Sequence, residues 1–486
     1  MTATTAAPVR FTQRPDRALL LGLSATRAIA LAACVIAVAV VTVMSGVTAG
    51  LITATGTSPV AGSALLIVEG RALIEWAPDA ARYAWRGANG RLRVLARPDR
   101  PMPVGVLPIP GTAQQLTVFA ATDGSAILHD RAADTWTAVA SVAGGGFLYA
   151  DAETQDAAAA GFGRALAAIG SDGQIQRIHI THRTRPDAGA EPTAVRIAAS
   201  ARSLSPTATA AYHQTLDQHG VAWRHDTLIA ITLGGKTARA AIRRDAGHGH
   251  TAAAHVLAAH RDSLPKTLDN ADVSVESWLT PSDLAVWIRS AYDPASIPIT
   301  NLHPAKGDDA GAAGIAASGP MAVAETWSTL RTDSAFHQTL WVSQWPRFDT
   351  HPAFLAPLIL PAVATVTISL VYYPIPTPVA LRQIGRDKTA QASDAALRRR
   401  IGTLDSAEQA AREADTLQRE ADLAEGHVDM RHTALIAITA TTRDQLTDAA
   451  TRIRQHAAAA GCETRVLYGQ QLAALNAAIV PADLRL

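Results

Sequence analysis

Two cysteines among 486 residues, Cys34 and Cys462, are too few to staple a fold, which excludes the disulfide-dense secreted scaffolds. The same poverty suits a reducing compartment. Charge is scarce as well: Asp, Glu, Lys and Arg make up 17% of the chain, and 43 basic against 42 acidic residues leave a formal charge of +1. That balance excludes a chain-wide field able to hold nucleic acid or an acidic partner, so no direct nucleic-acid binding is expected. Hydrophobic residues are not scarce, at 48%, so a chain of this length can bury more than one core.

Charge is absent altogether from residues 28–68, whereas a single spanning helix needs only about 20 residues. The run predicts a transmembrane hairpin, with spans at about 28–43 and 47–68 and a turn near Ser45 and Gly46. Its second half carries Pro59 and several Thr and Gly. Arg10, Arg14, Arg17 and Arg27 precede the run, and Arg71, Arg82, Arg86, Arg91 and Arg93 follow it. Basic flanks on both sides put residues 1–27 and the bulk of the chain in the cytoplasm of a plasma-membrane protein. The competing readings are a signal peptide or a single anchor with an extracytoplasmic domain. Gly46 and Gly50 form a Gly-x-x-x-Gly pair that would let helices approach closely.

The remainder reads as α+β, divided into a domain at 69–300 and a C-terminal domain at 301–486 with a helical hairpin near 379–426. Strand patterns fall at 114–130, where Asp123-Gly124 marks a turn between two strands, and at 174–184. Later strands are predicted at 337–345, 364–373, 433–441 and 463–469, alternating with helices in an α/β sandwich of ferredoxin-like units. Thr280-Pro281-Ser282-Asp283 and Thr442 with Gln445 carry helix-start signals, and Gly461 a stop. The uncharged stretch 354–376 contains Pro357 and Pro361 and reads as a short helix followed by a strand. Ala407, Ala410, Ala414, Leu417, Ala421 and Ala424 make a narrow apolar seam on one helix. The seam is expected to pack inside this chain as a helical hairpin over the sheet, with a partner-docking coiled coil as the alternative. Glu408 with Arg412 and Asp415 with Arg419 are expected to pair on its surface.

Catalytic signatures are weak. Gly234-Gly235-Lys236-Thr237 follows an apolar run, in the order strand, Gly-Lys-Thr, helix of a phosphate-binding loop. That loop needs a glycine where Ala230 stands, in mid-strand, so Lys236 and Thr237 are read as a turn, with a phosphate-binding enzyme as the less favoured alternative. His248, His250, His255 and His260 lack the spacing of a metal site on one helix face. Gly161-Phe162-Gly163 has Leu166 where a dinucleotide fingerprint needs its third glycine. Trp278, Trp287, Trp327, Trp341 and Trp345 are expected to anchor cores. No catalytic, cofactor-binding or metal residues are assigned.

Several stretches are family-like as a set: RPDRALLLGLS at 14–24, WIRSAYDP at 287–294, AETWSTLRTDSAFHQTLWVSQWPR at 324–347, SLVYYPIP at 369–376 and YGQQLAALNAAIVPADLRL at 468–486. Through them the chain resembles the actinobacterial integral membrane proteins of conjugative and type IV secretion-like gene clusters, some labelled type VII secretion EccE-like. The resemblance implies a non-enzymatic structural subunit with a two-span anchor. It also implies a cytosolic domain similar to the non-motor N-terminal part of conjugation ATPases. The expected partners are the membrane, a separate conjugation or secretion ATPase, other apparatus subunits and further copies of the chain. The Thr-, Gly- and Pro-rich second span departs from the family pattern.

Overall fold

The computed structural model describes residues 18–20, 23–96, 102–112, 115–187, 205, 207, 223–245, 247, 249–296, 314–346, 350–360, 363–401, 407–424 and 428–482. Contacts divide the chain into two units, the smaller holding Thr12–Leu92 with Tyr468–Gln470, the larger holding Arg93–Leu467 and Gln471–Leu486.

In the smaller unit, β1 (Ala18–Leu20) pairs with β2 (Leu23–Ser24), and two helices follow, α1 (Ala25–Ser45) and α2 (Val47–Leu65). Gly46, at φ 88°, makes the turn between them, a conformation that a side chain would resist. A Cβ on Gly50 would lie 2.0 Å from the Thr42 hydroxyl, so this glycine lets the two helices close on each other. The Gly-x-x-x-Gly pair therefore splits into a turn residue and a contact residue. Arg27 Nε donates to Ala64 O at 2.8 Å, and Cys34 lies 3.9 Å from Thr57 O. Among the described residues only the α1 stretch Thr26–Ser45 is long and apolar enough to cross a bilayer by length and composition. The short hairpin β3 (Ile67–Val68) and β4 (Arg71–Ala72) leads into α3 (Leu73–Ala88).

The larger unit is built on one 14-stranded sheet in which every neighbouring pair is antiparallel. In chain order come β5 (Arg93–Leu95), β6 (Val106–Leu107), β7 (Leu116–Ala120), β8 (Ala126–Asp130), β9 (Thr135–Gly144), α4 (Ala152–Gly170), β10 (Ile175–Pro186) and β11 (Trp223–Leu233). Then follow α5 (Gly235–Arg244), α6 (His250–Asp269), β12 (Val273–Trp278), α7 (Pro281–Tyr292), β13 (Ala322–Glu325), β14 (Leu330–Thr332), β15 (Ala335–Gln344) and α8 (Ala356–Ile359). The chain closes with β16 (Thr365–Pro374), α9 (Thr377–Ile401), α10 (Ala407–Ala424), β17 (Met430–Ala440), α11 (Arg443–Ala459), β18 (Glu463–Val466) and α12 (Gln471–Ile479).

The strand order is a tandem repeat. From the centre outward one half runs β10-β11-β9-β8-β7, with β12 also on β9; the other runs β16-β17-β15-β14-β13, with β18 also on β15. The halves meet where β10 pairs with β16, Thr181 opposite Ser369. In each half a three-strand meander leads into the set, a helix follows its first strand and another precedes its last, and the last strand passes into a helix, α7 or α12. Strands drawn from 69–300 and from 301–486 thus share one hydrogen-bonded sheet. The repeat carries a sequence trace, for Leu-Ile-Ala-Ile-Thr occurs at 228–232 in β11 and at 435–439 in β17, the corresponding strand of each half.

Side-chain alternation divides each strand between two cores. Leu228, Ala230, Val139, Leu435 and Ala437 join Trp287, Ile288, Tyr292, Leu475 and Ile479 of α7 and α12 on one face. Ile229, Ile231, Ile178 and Ala138 pack against Leu257 and Leu264 of α6 on the opposite face, where α11 covers the second half with Ala449, Ala450 and Ile453. Strands covered on both faces read as continuous apolar runs, which is why TLIAITL and TALIAITA show no polar alternation. The capping signals hold, since Thr280 Oγ1 accepts from Asp283 N at 3.2 Å and Thr442 Oγ1 from Gln445 N at 3.3 Å.

Candidate interaction surfaces

The Gly-Gly-Lys-Thr stretch sits where β11 ends and α5 begins. Ala230, which would have to open a phosphate loop, is buried in the ladder between Val139 of β9 and His179 of β10. Gly234 N donates to Gln174 O at 3.0 Å, and a Cβ on Gly234 would meet the Gln176 and Thr135 side chains. Gly235 turns the chain at φ 81°, leaving Lys236 and Thr237 exposed on the first turn of α5. The corresponding junction of the other half, Ala440 to Arg443, also passes from strand to helix, so the turn follows from the repeat.

The other motifs separate in space. His255 faces Asp245 at 3.2 Å, His260 faces Asp172 at 3.5 Å, and His250 packs its ring against His129 and Phe119. His248 lies outside the described residues. Gly161 lies in α4, where a Cβ would come within 1.8 Å of Asn270 O, so its role is close packing on the chain after α6. Among the described residues no group of three or more His, Cys, Asp or Glu side chains is placed to hold a metal ion.

A polar column inside the sheet was not legible beforehand. Arg183 on β10 is 1% exposed, and its guanidinium lies 3.6 Å from the centre of the Trp287 ring. Nη1 donates to Trp287 O and Ser290 Oγ at 3.0 Å each, while Nε and Nη2 find no partner among the described residues. Burial lowers the Arg183 pKa to about 9. On the same face His179 contacts Ser369 Oγ at 2.6 Å across the β10–β16 junction, and burial holds its imidazole neutral. Of the tryptophans, Trp287 is buried as expected, and it is a cation platform as well. Because Ser290 Oγ also donates to Trp287 O, Arg183→Met leaves no polar group stranded. The variant is expected to be more stable than wild type by roughly 1–2 kcal/mol in urea titration at neutral pH. A destabilised variant would contradict the unpaired-charge account.

The helical arm α9–α10, inserted between β16 and β17, corrects one expectation. Its internal contacts run through Gln391 Nε2 to Thr416 Oγ1 at 2.9 Å, an ion pair of Lys388 with Glu420, and a small cluster of Ala380, Ile384 and Leu423. The alanine seam is not part of this interface: Ala410, Ala414, Ala421 and Ala424 are exposed, and Leu417 is 59% exposed. α10 turns its Thr416, Glu420 and Leu423 side inward because polar and ionic partners on α9 match it there. Arg419 binds Asp429 at 2.6 Å and reaches Asp387 at 4.0 Å, in place of the expected Asp415 pair. The exposed seam is left as an apolar strip of heptad spacing. No protein-family model matches the chain, and no curated protein matches it significantly.

Proposed function

We propose that this chain is a membrane-anchored, non-enzymatic structural subunit of a conjugative transfer or secretion apparatus that docks a separate ATPase. The observation that carries the docking reading is the exposed seam of α10, a helix face patterned for another helix and left uncovered by its own hairpin. The apparatus and the ATPase rest on the family resemblance. Each half of the sheet, with strand orders β12-β9-β11-β10 and β18-β15-β17-β16, supports a ferredoxin-like βαββαβ reading of the two units. Further copies of the chain are a second class of partner.

Two spans are the topology we favour. α2 has 19 residues, about 28 Å of helix against a hydrocarbon core of about 30 Å. Its hydroxyls bond its own backbone, Thr53 Oγ1 to Ala49 O and Thr57 Oγ1 to Thr53 O at 2.9 Å each, Ser63 Oγ to Val60 O at 2.8 Å. Such hydroxyls enter lipid at small cost. With arginines on both flanks the sheet is cytosolic. A second reading, a single span with an extracytoplasmic EccE-like domain, draws on α1 being, among the described residues, the one helix apolar enough by length and composition.

The docking test is co-purification of the full chain in detergent with the ATPase encoded beside it. Leu417→Asp, at the centre of the seam, is expected to lower recovered ATPase about tenfold or more, equivalent to about 1.4 kcal/mol. Unchanged recovery with this variant sinks the seam as the docking face. Absence of wild-type association sinks the docking reading itself.

A further inference from the structure

In a water-soluble protein an amphipathic helix turns its charges outward; α3 does the reverse. Its four charged residues, Glu75, Asp79, Arg82 and Arg86, fall on one narrow arc of the helix. Three of them are tied into the unit. Asp79, 9% exposed, takes Arg71 at 3.3 Å; Glu75 Oε2 accepts from Ala72 N at 3.3 Å; Arg86 donates to Gly469 O. The opposite arc carries Leu73 at 44% and Trp85 at 58% exposure, with only alanines between them uncovered. The connection from α2 extends the same surface, since Leu65, Leu66, Ile67 and Val68 are all exposed.

We infer that α3 lies along the bilayer surface, with its Leu73–Trp85 face in the region between headgroups and acyl chains. The occupant is lipid because the surface continues from the helix pair. α1 and α2 end together where Arg27 reaches Ala64 O, Arg71 lies just beyond, and Leu73 N bonds back to Leu66 O at 2.8 Å. The aromatic and basic residues suit that depth. Arg91 stacks over Trp85 at 5.1 Å, pairing a ring that favours the interface with a cation that favours phosphate. The inference rests on membrane anchoring by α1. It adds an interfacial element to the bilayer contacts of the spanning helices.

The test is nitroxide labelling of the full chain in vesicles of phosphatidylcholine and phosphatidylglycerol. With Cys34 and Cys462 first replaced by Ala, single cysteines are introduced as Ala77→Cys and Ala84→Cys on the apolar arc, Arg82→Cys on the charged arc and Val40→Cys within α1. At Ala77 and Ala84 collisions with oxygen are expected to exceed those with a water-soluble nickel chelate, as at Val40, and the ratio inverts at Arg82. Lipid-like values at Val40 with water-like values at Ala84 overturn the inference and leave the anchor standing. Water-like values at both positions overturn both. Low collision with either reagent at Ala84 means that protein covers the face, and this too overturns the lipid assignment. A folded protein is verified by an unchanged circular dichroism spectrum for each variant.

Discussion

Acidification from about pH 6.5 to about 4 is expected to destabilise the detergent-solubilised chain steeply. Burial lowers the pKa of four sheet histidines, His129 among them, and the three with the large shifts dominate. His182 has its pKa lowered to about 4 and His337 to about 3, and His179 lies well below the ordinary value. Each ring is already engaged: His337 with Thr332 Oγ1 at 2.6 Å and Thr439 Oγ1 at 2.9 Å, His182 with Thr227 Oγ1 at 2.9 Å, His179 with Ser369. The unfolded chain takes up protons near pH 6.5 and the native chain does not until the lowered values are reached. Stability is therefore full above about 6.5 and is lost as the pH falls. The slope is about 1.4 kcal/mol per pH unit for each site, so roughly 4 for the three together. Urea midpoints across this range check it. His337→Gln, which keeps hydrogen-bonding capacity without a proton to gain, should remove about a third of the slope; an unchanged slope would contradict the assignment.

Gly161→Ala is expected to cost about 3 kcal/mol, a large effect for one methyl group. The new Cβ would sit 1.8 Å from Asn270 O, a backbone atom that cannot rotate away, so α4 must lift from the chain that follows α6. Gly163→Ala, two residues on in the same helix with open space around it, is the control. It should raise stability by about 0.5–1 kcal/mol through helix propensity alone. Thermal unfolding of the pair distinguishes the accounts, because a merely propensity-driven helix would be stabilised by both substitutions.

Long apolar runs and capping residues were legible because they are local. The strands at 174–184, 337–345, 364–373 and 433–441, and the helix starts at Thr280 and Thr442, all lie where the pattern put them. β9 gives no clear strand pattern, since ThrTrpThrAlaValAlaSer mixes small and polar residues whose burial depends on three neighbouring strands, β8, β11 and β12. The tandem repeat left one readable trace, Leu-Ile-Ala-Ile-Thr, too short to register among alanine-rich surroundings. Gly161-Phe162-Gly163 looked like part of a nucleotide fingerprint because sequence does not show Asn270 lying against it. The alanine seam reads as inward-facing because nothing local in the sequence shows that Gln391 and Lys388 claim the adjacent face of α10. Arg183 gave no signal at all, since its partner Trp287 is over a hundred residues away in the sequence.

Side-specific thiol labelling in cells tests directly the proposed placement of the sheet on the cytosolic side of a membrane, held there by two spanning helices. Lys236→Cys places a reactive group on the exposed first turn of α5, while Cys462 is buried at 3% exposure and Cys34 lies within α1. A membrane-impermeant maleimide is expected to label this position only after the cells are permeabilised. Labelling in intact cells would contradict the two-span account and put the sheet outside the membrane on a single anchor.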